Sequence, residues 1–297
     1  METILIVSGG DSKYFDLLSE LLLSLRRIPN GDKYNLAFLD GGLLANQKLF
    51  FTNNGVVVVD PGWRHPLAEK RCRGRNHLKI NIAKLHLDKI FPTYKTIIWL
   101  DGDTWLQNDQ AIKLLTMVAK KNKFAIVSQA SRLQDKHIEF RSWIFGLVSL
   151  RNILYKNAKR AGLPPSIIKK LQAKPTLNAG SYALSVDAPH WERFRFWQDI
   201  ALKKGRLFTS DQLAMGLTVY EDKMPFEALP DICNYMGPWR WCTKRKLFID
   251  YFAPYAPVSV VHLAGQDHMR DDDKYVIEIH DEDDNKIKKS LRYSSIY

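Results

Sequence analysis

Cysteine is scarce: three in 297 residues cannot close a disulfide framework, and a chain of this length buries enough core without one. Long apolar runs are missing as well. No stretch reaches the roughly 18 apolar residues of a membrane span. The opening Met1-Glu2-Thr3-Ile4-Leu5-Ile6-Val7 lacks the basic flank and long apolar stretch of a secretory leader. Gly (16) and Pro (13) are too few, and apolar residues at 45% too many, for a collagen-like, mucin-like or wholly disordered chain. These absences predict a soluble protein of a reducing, cytoplasmic compartment.

Charge is abundant and lopsided. The formal net charge is +12, yet from Asp267 onward acids exceed bases, nine to six. A basic body with an acidic end suits phosphorylated ligands, anionic membrane surfaces or nucleic acid, and also simple solubility. Between Arg151 and Lys174 there are seven Lys/Arg and no acid, interspersed with Ile153, Leu154, Ile167, Ile168 and Leu171. That stretch predicts peripheral contact with an anionic membrane, or else a solvated helical face.

The N-terminal half alternates two periodicities. Short apolar runs at Ile4 to Val7, Leu36 to Leu39, Val56 to Val59, Thr96 to Leu100 and Phe124 to Val127 read as strands. Several of them end in Gly or Asp. Phe15, Leu17, Leu18, Leu21, Leu22 and Leu25 mark one helix, Leu78, Ile82, Leu85 and Ile90 another, and a third starts near Asp109. The alternation predicts an α/β fold, a mostly parallel sheet with helices on both faces, and ligands beyond the carboxyl ends of its strands. Further on, residues 141–160 read as a helix and Ala179 to Val186 as a strand. Asp187 and Ser210 read as helix caps, and Val258 to His262 as the last buried strand. Asp281-Glu282-Asp283-Asp284 reads as a solvated turn or tail.

The sharpest local feature is Ile97-Ile98-Trp99-Leu100-Asp101-Gly102-Asp103. An apolar strand delivers two carboxylates to its end, and such a pair repels itself unless a cation neutralises it. Mg²⁺ or Mn²⁺, with oxygen ligands, does so. An ordinary Asp-Gly turn is the alternative. His262 ends a second apolar strand and becomes a third metal ligand if it converges on the pair. Asn178-Ala179-Gly180 enters a strand, and Asp211-Gln212 opens a helix. Trp239, Arg240, Trp241 and Tyr235 are either a sugar-stacking acceptor platform or an aromatic core. Cys233 and Cys242 have no CxxC partners, which argues against structural zinc.

In this order the motifs resemble nucleotide-sugar glycosyltransferases of the GT-A fold, in pattern the retaining family 8 group. The resemblance spans roughly residues 3–268. Ser8-Gly9-Gly10-Asp11 and Tyr14 look like the group's nucleotide pocket, Asp101-Gly102-Asp103 like its DxD motif, and Asn178-Ala179-Gly180 like its NAG-like strand entry. Asp211-Gln212 matches the DQ pair, and His262-Leu263-Ala264-Gly265 the start of HxxGxxK. Where that pattern carries Lys, this chain has His268, with Arg270 two residues on.

The resemblance implies a single GT-A (Rossmann-like) domain over 1–297. Residues 1–128 would bind the nucleotide sugar, 129–270 the donor sugar and acceptor, and 271–297 would be an acidic extension. It implies Mn²⁺ or Mg²⁺ on Asp101, Asp103 and His262. Ser8, Gly9, Asp11, Tyr14, Gly102, Gly265 and His268 would line the nucleotide-diphosphate site, with charge added by Lys79 or Arg75. Asn178, Asp211 and Gln212 would orient the donor sugar. The implied reaction moves a sugar from a nucleoside-diphosphate sugar, UDP-linked, to a glycan or lipid-linked acceptor with retained configuration. A sugar nucleotidyltransferase is the nearest rival, but its first turn would carry a basic Gly-rich loop. A nucleic-acid-binding protein fits the charge and finds no matching motif, so no nucleic-acid partner is expected.

Overall fold

The computed structural model describes residues 3–129, 139–142 and 148–297. Its strands, in chain order, are β1 (Ile4–Gly10), β2 (Asn35–Asp40), β3 (Val56–Val59), β4 (Thr96–Leu100) and β5 (Thr104–Leu106). There follow β6 (Phe124–Ser128), β7 (Glu139–Ser142), β8 (Val148–Arg151), β9 (Leu177–Ser185) and β10 (Phe226–Leu229). The last are β11 (Arg240–Cys242), β12 (Leu247–Ile249), β13 (Val260–His262), β14 (Ile277–Asp281) and β15 (Lys286–Lys289).

Seven strands form one sheet in the order β10-β6-β9-β4-β1-β2-β3. All its pairings are parallel except those of β9, which runs antiparallel to both β4 and β6. The near-continuous apolar character of β1, β2 and β4 follows from cover on both faces. Leu5, Val7, Leu39 and Trp99 pack toward the helices His190–Lys204 and Ser210–Tyr220, through Phe194, Leu213 and Leu217. The alternate residues Ile6, Phe38, Ile98 and Leu100 pack toward Phe15–Arg27 and Gln110–Ala119, through Leu21, Leu25 and Leu115. The expected α/β sheet is therefore present, with the period-two alternation that such double cover requires.

Local readings differ in four places. The helix expected over 141–160 is confined to Ile153–Arg160. Ahead of it β7 and β8 pair as an antiparallel hairpin, and residues 143–147 lie outside the described residues. Asp187 does not cap the next helix, because Pro189 holds the position before His190. Ser210 sits just inside its helix, after Thr209, and donates from Oγ to the Leu207 carbonyl at 2.9 Å. In the acid-free stretch, Leu154 and Leu171 are buried and Ile167 and Ile168 pack against the same core. The apolar side chains that would have entered a membrane are thus turned inward. Among the described residues no helix is long and apolar enough to cross one.

The C-terminal segment is built in rather than trailing. β11, β12, β14 and β15 make a four-stranded sheet, and the acidic run forms the turn after β14. Leu291 and Tyr293 join a third core with Trp105, Trp239, Trp241 and Phe248. Arg292 Nε donates to both carboxylate oxygens of Glu20, at 3.0 and 2.9 Å, and both side chains are buried. Removing one member of such a pair strands the other charge in the interior. Glu20→Ala is expected to lower unfolding stability by about 3–5 kcal/mol in urea titration; a change below 1 kcal/mol, the size of a surface pair, would contradict this account.

Candidate active site

Parallel pairing brings the ends of β1 and β4 to one edge, so Gly9-Gly10-Asp11 and Asp101-Gly102-Asp103 meet there. The contact is backbone to backbone: a Cβ on Gly102 would lie 2.7 Å from the Gly9 carbonyl oxygen. From the opposite direction β9 delivers Asn178, Ala179 and Gly180, and Asp101 N–H donates to the Gly180 carbonyl at 2.8 Å. Beyond the second carboxylate, β5 pairs antiparallel with β13 and sets His262 opposite Thr104. Strand pairing alone therefore collects two carboxylates and an imidazole contributed by distant parts of the chain.

These three groups converge, with one potential ligand atom from each within 4.8 Å of the others. His262 Nε2 stands 3.3 Å from Asp103 Oδ1 and 3.9 Å from Asp101 Oδ2. The other oxygen of each carboxylate is already engaged. Asp101 Oδ1 accepts from Lys84 Nζ at 2.6 Å and Trp99 Nε1 at 2.8 Å, and Asp103 Oδ2 accepts from Arg270 at 3.0 Å. His262 Nδ1 lies 2.7 Å from Asn234 Oδ1, which leaves Nε2 as the free face of the ring. Two carboxylate oxygens and an imidazole nitrogen, each oriented by a partner behind it, fit a Mg²⁺ or Mn²⁺ ion. Burial alone would raise the Asp103 pKa, but His262 and Arg270 overcome it and hold the carboxyl at about 2. Burial would likewise depress His262, and Asp103 reverses the direction and raises it.

A cation that the sequence reading passed over completes the floor. Lys84 is 4% exposed, with Nζ 2.6 Å from Asp101 and 3.5 Å from Asp211. Burial opposes its charge, and the two carboxylates outweigh burial and raise its pKa. Burial raises the Asp211 pKa against the pull of Lys84, and Asp211 Oδ1 is buried without a hydrogen-bond partner. An orphaned acceptor on a residue that lines a cavity is a place for a ligand hydroxyl. The sequence does carry a signal for Lys84: a lone lysine among Ile80, Ile82, Ala83, Leu85 and Leu87, all buried.

Around this floor lies a cavity of about 560 Å³. Gly9, Asp11, Tyr14, Gly102, Asn178, Asp211, Gln212 and Gly265 line it, as do the three candidate metal ligands. Lys13, His77, Gln129 and Phe208, which carried no motif, line it too. Four expected residues are placed elsewhere. Ser8 is fully buried beneath the cavity. Lys79 bonds Asp60 at 2.7 Å. His268 is exposed, with its ring beside Tyr275 at 5.6 Å. Arg75 is exposed as well, bonding the Cys72 carbonyl. Arg270 takes the place expected of His268: it lines the cavity, reaching Tyr14 Oη at 3.3 Å as well as Asp103. The Trp239–Trp241 platform is an aromatic core instead, both indoles being buried against Phe248 at 5.5 and 5.0 Å.

No family model matches the chain, and no curated protein matches it in sequence. Solved structures do. The apo structure of WbbM, a bifunctional glycosyltransferase, shares 16% identity over 81% of this chain and 40% of that one, at a TM-score of 0.51. The chain thus spans well under half the length of that protein. Mouse xyloside xylosyltransferase 1, also apo, shares 13% identity over 81% of this chain and 87% of that one, at 0.50. The likeness is one of architecture, and the fold is that of GT-A glycosyltransferases.

One close approach makes the convergence testable. A Cβ on Gly180 would lie 2.4 Å from His262 Cε1 and 3.0 Å from Asn178 Oδ1. Gly180→Ala is expected to push the imidazole off the carboxylates, lowering stability by about 1–3 kcal/mol as overpacking does. The Mn²⁺-induced rise in Tm should disappear with it. A variant that kept the wild-type Mn²⁺ response would mean that His262 is not held by this contact.

Proposed function

We propose that this chain transfers a sugar from a nucleoside-diphosphate sugar to a glycan or lipid-linked acceptor, with Asp101, Asp103 and His262 holding Mn²⁺ or Mg²⁺. The observation that carries the reading is the convergence of those three groups on the floor of a large cavity, at the carboxyl edge of a GT-A sheet. When bound, the cation supplies Lewis-acid stabilisation of charge on the departing nucleoside diphosphate.

The chain's own residues divide the rest of the work. Gly9, Asp11 and Tyr14 would receive the nucleotide, which we take to be uridine-linked, in the half formed by 1–128. Gly265 and Arg270 would contact the diphosphate. A guanidinium is always charged and binds phosphate oxygens in a fork. Arg270 therefore fills the phosphate role expected of His268, which is exposed and does not line the cavity. Asn178, Asp211 and Gln212 would orient the donor sugar, with Asp211 Oδ1 accepting one of its hydroxyls. Lys84 holds Asp101 and Asp211 together beneath that sugar.

In the step itself the bond between the anomeric carbon and the diphosphate oxygen breaks, and its electron pair leaves with the nucleoside diphosphate. The acceptor hydroxyl oxygen forms the new bond and gives its proton to the departing phosphate. Attack on the face the diphosphate leaves retains configuration. The coupling constant of the anomeric proton in the first-formed product reads this directly, and an inverted product would remove the retaining assignment.

A panel of nucleotide sugars assayed for Mn²⁺-dependent hydrolysis tests the reading without an acceptor. Release of nucleoside diphosphate from at least one of them is expected; none with any divalent ion would overturn it. Asp103→Asn is expected to abolish both hydrolysis and transfer while the secondary structure seen by circular dichroism is retained, the Tm falling as a buried charge pair is broken. Wild-type turnover in saturating Mn²⁺ would remove the metal assignment. His262→Ala is expected to raise the Mn²⁺ concentration needed for half-maximal activity at least tenfold, as loss of a ligand does. A variant that merely melted earlier, with unchanged Mn²⁺ dependence, would make His262 a core residue.

A further inference from the structure

Phe208 is the most exposed of the large apolar side chains among the described residues, at 65%, and it lines the cavity. Scattered exposed apolar residues are ordinary; one beside the charged floor of a cavity, with Lys84, Asp101, Asp103 and Asp211, calls for a ligand with an apolar face. Its backbone is fixed on both sides. Leu207 is buried among Leu78, Ile82 and Leu202, and Arg71 donates to the carbonyls of Leu202 and Gly205, at 2.7 Å for the latter. On the far side Ser210 is buried and bonds back to the Leu207 carbonyl through both N and Oγ, at 3.2 and 2.9 Å. The ring is therefore presented to solvent by an anchored turn rather than by a loose loop.

Its position within the cavity is set by sequence proximity. Phe208 stands three residues ahead of Asp211 and four ahead of Gln212, which line the same cavity. The nucleotide end, with Asp11, Tyr14 and Arg270, is built from other segments. The floor beside Asp211 is polar and charged, with Lys84, Asp101 and the unpartnered Asp211 Oδ1. A ligand that satisfies both surfaces presents hydroxyls to one and a flat C–H face to the other, and a pyranose ring has both.

We propose that Phe208 is the acceptor platform of this enzyme: its ring stacks on the apolar face of the pyranose that carries the attacking hydroxyl and positions that sugar over the donor. This rests on the sugar-transfer reading above and names a residue for the acceptor that the buried tryptophans leave unassigned. Phe208 does not touch the metal ligands and takes no part in bond breaking, so it acts on acceptor binding and not on donor activation.

The test uses the full chain, methyl hexopyranosides as acceptor probes, and as donor the nucleotide sugar that the wild type hydrolyses. Phe208→Ala is expected to raise the acceptor KM roughly tenfold, the upper part of what aromatic stacking contributes. Acceptor-free hydrolysis and donor KM should stay at wild-type values, and Phe208→Trp should restore the acceptor KM. Unchanged acceptor KM in Phe208→Ala overturns the proposal. So does a Phe208→Ala variant that loses affinity for the free nucleoside diphosphate while its acceptor KM stays put, since the ring would then serve the base. A wild type that hydrolyses donor yet neither glycosylates any methyl hexopyranoside nor shows saturation transfer to one overturns it as well. If the wild type hydrolyses no nucleotide sugar, the sugar-transfer reading fails first and takes this proposal with it.

Discussion

Three carboxylates share one small volume in this protein, and the charge of Lys84 is what lets them do so. Asp101, Asp103 and Asp211 come from a strand end, a turn and a helix start, and Asp103 and Asp211 are buried. Like charges held this close in a medium poorer than water repel strongly. Lys84 bridges two of them, while Arg270 and His262 engage the third. The lysine backbone is secured as well, since its carbonyl accepts from the Tyr182 hydroxyl at 2.7 Å. The sheet through Tyr182, the segment through Lys84 and the helix through Asp211 are thereby locked around one ammonium. The second oxygens of Asp101 and Asp103 then converge with the His262 imidazole.

Much of the fold was legible because the sheet is covered on both sides. Apolar runs such as Thr96–Leu100 and Val56–Val59 match their strands residue for residue; the first is buried throughout, while the second, at the sheet edge, leaves Val57 half exposed. The carboxylates of the site were legible for a related reason: two like charges at the end of such a run call for a cation, although a turn alone would account for one Asp-Gly. What escaped was whatever depends on tertiary neighbours. Residues 139–151 carry mixed polarity, and no turn signature or clean alternation in the sequence announces the hairpin of β7 with β8. Trp239 and Trp241 have the same composition whether they face a sugar or Phe248, and the choice was made by the four-stranded sheet packed around them. Lys84 hides because its charge is neutralised by groups 17 residues and more away. His268 and Arg270 illustrate the finer limit. A one-turn helix, Asp267–Asp271, turns the first outward and the second into the cavity, and two residues of spacing decide which side chain reaches it.

The acidic C-terminal stretch changes meaning once the structure is considered. Its charges lie in and beside a turn between two strands, where Glu282 accepts from the Thr243 and Lys244 amides and Asp284 pairs with Arg240, while Leu291, Arg292 and Tyr293 beyond it are buried. Trp105, at the centre of β5, donates to the Leu291 carbonyl at 2.8 Å. That strand follows Asp103 directly and pairs with the strand bearing His262. The last residues of the chain thus brace the ladder that holds the imidazole against the carboxylates, so the C-terminal segment belongs to the support of the site.

The position of β9 has a consequence for how the molecule comes into being. β4 and β6 precede it in the chain, yet in the finished sheet they are separated by it. As the polypeptide leaves the ribosome, both flanking strands are complete while the slot between them is still open, each with a row of unpaired amides and carbonyls. Open edges of apolar strands are templates for any passing chain, and segments of this kind are exposed longest when the pairing partner lies far along the sequence. Asn178, Ala179 and Gly180 arrive on the very strand that closes the slot. The step that shields the nascent sheet from aggregation is therefore the same step that installs one wall of the cavity.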